Sequence, residues 1–197
     1  MLAEQLLHAY PLRAHHRLLD VGGGEAAFAC AAARATPGLR VEVFDLPDVA
    51  DRARGRLAAA GLGARSQAWG GSFLTDELPA GADLITLLRV VHDHDDDAVL
   101  RLLQAARRAL APGGRLLLAE PMADTPGAAA MGDAYFGFYL LAMGQGQPRS
   151  AARLTELLQA CGFTQVRQLP TRMPLLTGLL LAEAGPHHFG EPSVNTR

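Results

Sequence analysis

The chain has 197 residues, 49% of them hydrophobic, and a formal net charge of -2. That length suits one domain with a real core, and the charge balance excludes a polyelectrolyte partner. The 18 basic side chains are all arginine, scattered among 20 acids without forming a stripe, so nucleic-acid binding has no support.

A short apolar strand, Arg17–Val21, runs into Asp20 and then breaks at Gly22-Gly23-Gly24. Glycines at such a turn let the backbone approach a ligand, and the alanine-rich helical stretch that follows, Glu25–Ala35, offers free N–H groups at its start. A second strand, Arg40–Phe44, ends in Asp45, an acid placed to accept hydrogen bonds from a ribose. These features describe a site for an adenosine-containing cofactor. Gly22, Gly24 and Ala27 also satisfy the dinucleotide pattern, which keeps a nicotinamide enzyme in view. No substrate domain follows, however, as such an enzyme would require.

Further strands are predicted at Arg65–Trp69, Asp83–Leu88, Arg115–Ala119, Gln165–Leu169 and Leu176–Ala182. Helices are predicted at Val49–Ala60, Asp96–Leu110, Ala128–Met143 and Ala151–Ala160. The third of all these helices in order, Asp96–Leu110, has apolar residues at Val99, Leu102, Leu103, Ala106 and Leu110, a helical period. Strands alternating with helices predict a parallel sheet covered on both faces. The last two strands have only a Pro-containing segment between them and should form an antiparallel hairpin at the sheet edge. The turn Ala111-Pro112-Gly113-Gly114 leads directly into the fifth strand. The tail from Gly185 is polar and predicted to be disordered. Cys30 and Cys161 are far apart in helical patterns, which argues against a disulfide framework and for a reducing interior. The N-terminus lacks a signal-peptide pattern and no apolar run suffices to span a bilayer, so a cytoplasmic protein is expected.

His92-Asp93-His94-Asp95-Asp96-Asp97 is the densest polar cluster, placed after the fourth strand, where open α/β sheets bind ligands. H-x-H-x-D is also a first-row metal signature, but further ligands are wanting: no histidine occurs between His94 and His187. Asp95 to Asp97 read as carboxylates at the start of the next helix, favoured there by the helix dipole.

The chain resembles the catalytic domain of the S-adenosylmethionine-dependent O-methyltransferases of the plant caffeate and bacterial polyketide type. Within that family it is most similar to the hydroxyneurosporene (demethylspheroidene) O-methyltransferases of carotenoid synthesis. The resemblance lies in Leu18–Gly24, Phe44-Asp45-Leu46-Pro47, Gly70-Gly71-Ser72-Phe73, Arg89–Asp95, Leu118-Ala119-Glu120-Pro121, Met131–Tyr135 and Pro148-Arg149-Ser150, and covers Leu2 to about Ala182.

It implies a Rossmann-like class I methyltransferase fold: a seven-stranded, mostly parallel sheet with an antiparallel C-terminal hairpin. It further implies that residues 1–16 are the remnant of a linker helix, from an N-terminal domain that makes these enzymes homodimers. Residues 17–184 would be the catalytic domain and 185–197 the tail. The implied cofactor is S-adenosylmethionine, held by Asp20, Gly22, Gly24, Asp45, Leu46, Ser72, Phe73 and Arg89. His92 corresponds to the general base and Glu120 to the acid that orients it. The acceptor site would include Asp93, Phe138, Tyr139 and Met143. Ala134–Gln147 is free of charge and rich in aromatics, which suits an apolar small-molecule acceptor such as a hydroxylated carotenoid, with membrane contact at most transient.

The sequence departs from the wider family at three places. Pro148 stands where plant-type enzymes have a second flanking glutamate, Ala26 where the family has glycine, and Ser72 where an acid near the adenine is common. Ala26, Pro148 and the expected absence of the N-terminal domain keep open an impaired or truncated cofactor-binding module, and the sequence leaves open a methyltransferase of polyketide or phenolic acceptors.

Overall fold

The computed structural model describes residues 2–123, 125, 147–174 and 176–185. Helix α1 (Leu2–Ala9) precedes β1 (Arg17–Val21), α2 (Ala27–Ala35), β2 (Arg40–Asp45), α3 (Pro47–Ala59) and β3 (Ser66–Gly70). Then come β4 (Ala82–Leu88), α4 (Asp96–Ala109), β5 (Leu110–Glu120), α5 (Ala151–Ala160), β6 (Phe163–Leu169) and β7 (Gly178–Ala184). The seven strands form one sheet in the order β3-β2-β1-β4-β5-β7-β6. Strands β1 to β5 are mutually parallel, and β7 is antiparallel to both β5 and β6. The predicted hairpin is therefore present, with β6 as the edge and β7 inserted beside β5.

The central strands are buried on both faces, which is why they read as near-continuous apolar runs. Side chains alternate between two cores. Leu19, Ile85 and Leu116 pack with Val99, Leu102 and Leu103 of α4 and Leu154 and Leu158 of α5. Leu18, Leu84 and Leu117 point the other way, to Ala29 of α2, Ala53 and Leu57 of α3 and Leu6 of α1.

The helix starts differ from the sequence reading for local reasons. Helix α3 begins at Pro47, whose fixed φ and missing N–H suit a first helical position. Helix α2 begins at Ala27, after Ala26 adopts a left-handed conformation with φ 62°. Strand β5 starts at Leu110, and residues 111–114 form an irregularity within it, because β4 pairs Ala82 with Leu110 and then Leu84 with Arg115. The predicted helix Ala128–Met143 lies outside the described residues.

Candidate active site

The order of strands reverses between β1 and β4, so the carboxyl ends of these strands open a crevice of the kind that binds ligands in α/β sheets. Asp20, Asp45, Gly70, Arg89 and Glu120 all stand at or just beyond the carboxyl ends of β1 to β5, which gathers the sequence-predicted residues along one edge.

On the β1 side, Asp20 is 1% exposed. The β1–β4 register puts Thr86 beside it, and the Thr86 hydroxyl donates to Asp20 Oδ1 at 2.6 Å. Asp20 Oδ2 is buried and has no hydrogen-bond partner among the described residues. Burial is the main force that pushes the Asp20 carboxyl up from 3.8 to about 7; Thr86 opposes this and the charge of Asp45 adds to it. The glycine turn sits directly over this carboxylate. A Cβ at Gly23 would lie 2.7 Å from Asp20 Oδ2, and one at Gly22, whose φ is 68°, would lie 2.6 Å from Val90 Cγ2. These two positions admit only hydrogen, which supplies the physical reason for the glycines.

Asp45 fastens the turn to β2. Its Oδ2 accepts from the Gly24 N–H at 2.8 Å and its Oδ1 from the Leu46 N–H at 2.8 Å. Leu46 is 57% exposed, an apolar side chain standing beside that carboxylate. After β3, the Ser72 N–H donates to Asp76 Oδ2 at 2.8 Å. This loop thus carries its carboxylate at Asp76, a residue the sequence reading did not single out. Phe73 packs its ring edge-on to His94, centroids 5.1 Å apart. Arg89 is exposed and has φ 59°, turning the chain out of β4 toward the histidine loop.

His92 is 4% exposed and Glu120 2%. His92 Nδ1 lies 2.6 Å from Glu120 Oε2, and Glu120 Oε1 accepts from the Val90 and Val91 N–H groups at 2.8 and 2.7 Å. On the other side of the ring, Nε2 faces Asp93 Oδ1 at 3.2 Å. Burial pulls the His92 pKa down, but the Glu120 hydrogen bond and charge, with that of Asp93, outweigh it, and the net direction is upward. Asp93 therefore sits against the ring nitrogen that a base would use. Phe138, Tyr139 and Met143 lie outside the described residues.

Asp95 caps α4 by accepting from the Ala98 N–H at 2.8 Å, as its position predicts. Asp96 does something else: its carboxylate pairs with Arg149 at 2.7 Å and with Arg153 at 2.8 Å. Among the described residues no three His, Cys, Asp or Glu side chains converge as metal ligands. No described helix is long and apolar enough to cross a membrane.

Residues 1–164 match the family model of the O-methyltransferase domain. The chain belongs to this O-methyltransferase domain family. Two relatives are demethylspheroidene O-methyltransferases. That of Cereibacter sphaeroides is 43% identical over 182 residues, 92% of this chain and 48% of the relative. That of Rhodobacter capsulatus is 40% identical over 188 residues, 94% of this chain and 46% of the relative. Similar solved structures include a mitomycin 7-O-methyltransferase (TM-score 0.81, 31% identity, 92% of this chain and 53% of that one). Another is human N-acetylserotonin methyltransferase in complex with SAM (TM-score 0.78, 28% identity, 93% of this chain and 52% of that one). The fold is shared with these class I methyltransferases, and the chain spans about half the length of the relatives it matches.

Within this family frame, the departure at Ala26 is conformational. Its methyl has no exposed surface and packs into the α1–α2 core, so it does not project toward the crevice. What glycine would relieve is the positive φ.

Proposed function

We propose that the chain carries the cofactor-binding and catalytic machinery of an S-adenosylmethionine-dependent O-methyltransferase whose acceptor is a hydroxylated, apolar small molecule. The observation that carries the catalytic reading is the buried His92–Glu120 pair at the carboxyl edge of the sheet. The residues of the β1–β2 edge suit the cofactor. The unpartnered Asp20 Oδ2, the side-chain-free Gly22-Gly23 turn and the Asp45 carboxylate fit a cationic, ribose-bearing ligand. In this reading the exposed Leu46 would cover the adenine, and Ser72, Phe73 and Arg89 would complete the rim.

When bound, the cofactor supplies a methyl group on a positively charged sulfur. The protein must then align an acceptor oxygen with that methyl and take up the hydroxyl proton. Glu120 accepts from Nδ1–H, which selects the tautomer whose Nε2 can receive a proton. The imidazolium that results is stabilised by Glu120 and, at Nε2, by Asp93, to which this reading also assigns a contact with the acceptor hydroxyl. A tertiary aliphatic alcohol is a poor acid, so for such an acceptor alignment carries more of the rate than proton removal.

The carotenoid acceptor rests on the two demethylspheroidene O-methyltransferase relatives. Residues 1–16 as a linker helix, a homodimeric whole protein and a cytoplasmic location belong to this proposal as well. Calorimetric titration with S-adenosylmethionine, with NAD as the control, tests the cofactor. Transfer of labelled methyl to a hydroxylated carotenoid, a phenol and a polyketide tests the acceptor. The reading predicts binding of the sulfonium cofactor alone and fastest transfer to the carotenoid. Binding without transfer to any acceptor would favour the second reading, a cofactor-binding module without catalysis, whose motive is Pro148 and the left-handed Ala26.

A further inference from the structure

The loop that carries His92 leaves β4 at Leu88 and enters α4 at Asp96, and within it only the Arg89 N–H bond to Ala119 and two long 3.3 Å bonds of a single 3-10 turn, Asp93 N–H to Val90 and His94 N–H to Val91, are made by the local backbone. Buried polar backbone must find partners elsewhere. On the N–H side the partner is Glu120, at Val90 and Val91. On the carbonyl side it is a segment distant in sequence. Arg149 Nη1 donates to the Val91 carbonyl at 3.0 Å and Nη2 to the His94 carbonyl at 2.8 Å, while Nε donates to Asp96 Oδ1 at 2.7 Å. The Gln147 N–H donates to the His92 carbonyl itself at 3.1 Å. The Ala123 N–H in turn donates to the Arg149 carbonyl at 3.0 Å, three residues beyond Glu120. Glu120 and Arg149 thus grip one loop from opposite sides while their own backbones are joined.

We propose that Arg149 is a positioning residue for the reaction: its guanidinium fixes the histidine loop so that the His92 ring meets Glu120. Arg149 acts on the loop through the carbonyls of Val91 and His94. The planar fork is essential, because three donors must point at three fixed acceptors, which a lysine ammonium on a flexible stem cannot reproduce. Asp96 and Arg153 hold the fork in place. This inference rests on His92 being the base, and the test separates the two.

The full chain is labelled at histidine, and the His92 ring is followed by NMR across pH in the parent, R149K, R149M and D96N, with H92Q assigning the resonance. Cofactor affinity, thermal unfolding, and kcat and KM for methyl transfer are measured alongside. With positioning by Arg149, His92 in folded R149K and R149M titrates lower by about one pH unit as the Glu120 contact loosens. Then kcat falls on the order of 10²-fold while cofactor affinity stays within about threefold, and D96N shows a smaller change in the same sense. E120Q combined with R149K loses less than the product of the two, since both act on one ring. If R149M does not fold, R149K and D96N, which keep a polar group at each position, decide. A parent-like His92 titration and kcat in folded R149K and D96N would overturn the proposal and leave Arg149 a purely structural cation. Full activity in H92A together with a shifted titration in R149K would instead overturn the base assignment and keep the positioning.

Discussion

One carboxylate, that of Glu120, receives both His92 Nδ1 at 2.6 Å and the N–H groups of Val90 and Val91. The acid thus orients the imidazole and the peptide units that carry it, so ring and loop cannot move independently.

The His92 pair sets a pH dependence. Because the folded pKa is raised, His92 is charged at and somewhat above the ordinary 6.5, and a base must be neutral. Methyl transfer is expected to rise with pH along a limb whose midpoint lies above 6.5. In E120Q that midpoint moves down, and the maximal rate falls about 10²-fold or more; H92A falls by about 10²–10⁴. Stability follows the same linkage: the contribution of the charged pair is complete below 6.5 and is lost as pH rises through the higher folded value. Rate and urea midpoints measured between pH 5.5 and 9 check both signs.

Asp20 runs in the opposite sense. Its folded pKa of about 7 exceeds the ordinary 3.8, so below pH 3.8 both folded and unfolded chains hold the proton and no penalty exists. As pH climbs to 7 the unfolded chain releases it first, and folding pays up to about 4 kcal/mol, constant above 7. D20N should therefore be more stable than the parent at pH 8, with the difference vanishing toward pH 4. A cationic cofactor favours the ionised carboxylate, so parental affinity should increase from pH 6 to 8 while that of D20N stays flat. Thermal melts and calorimetry over this range read the two effects.

Asp45 holds two backbone donors before any ligand is present. Its removal costs the turn its anchor as well as the ribose its acceptor. D45A is expected to weaken S-adenosylmethionine binding by about 10- to 150-fold, the worth of one hydrogen bond to a charged group. Titration of D45A with the cofactor is the measurement, and parental affinity would show that the carboxylate serves the turn alone.

Ala26 is held at φ 62° with a buried methyl. Glycine adopts this conformation without the steric cost to an L side chain, but gives up the methyl contacts and gains entropy when unfolded. The balance predicts that A26G raises stability by about 0.5–1 kcal/mol, a rise in Tm of roughly 1–4 °C for a chain of this size. Differential scanning calorimetry of A26G decides it, and a lowered Tm would show that packing outweighs backbone strain here.

Among the described residues the sequence by itself determined the succession of β1 to β7 and of α2 to α5, the antiparallel end of the sheet and the one edge at which Asp20, Asp45 and Glu120 stand. Apolar alternation and glycine turns are local, and a parallel sheet has few ways to arrange them. It also carried Asp95 as the cap of α4, since a cap acts on the next turn of its own helix. Only the tertiary structure decided which polar residues share a partner. Nothing in the sequence singles out Thr86, and its bond to Asp20 needed the β1–β4 register. Asp96 read as another cap acid until the chain returned at Arg149, 53 residues later, and claimed its carboxylate. Hydrogen bonds across such separations leave no periodic trace in a sequence, because they depend on where two loops land after the sheet has closed.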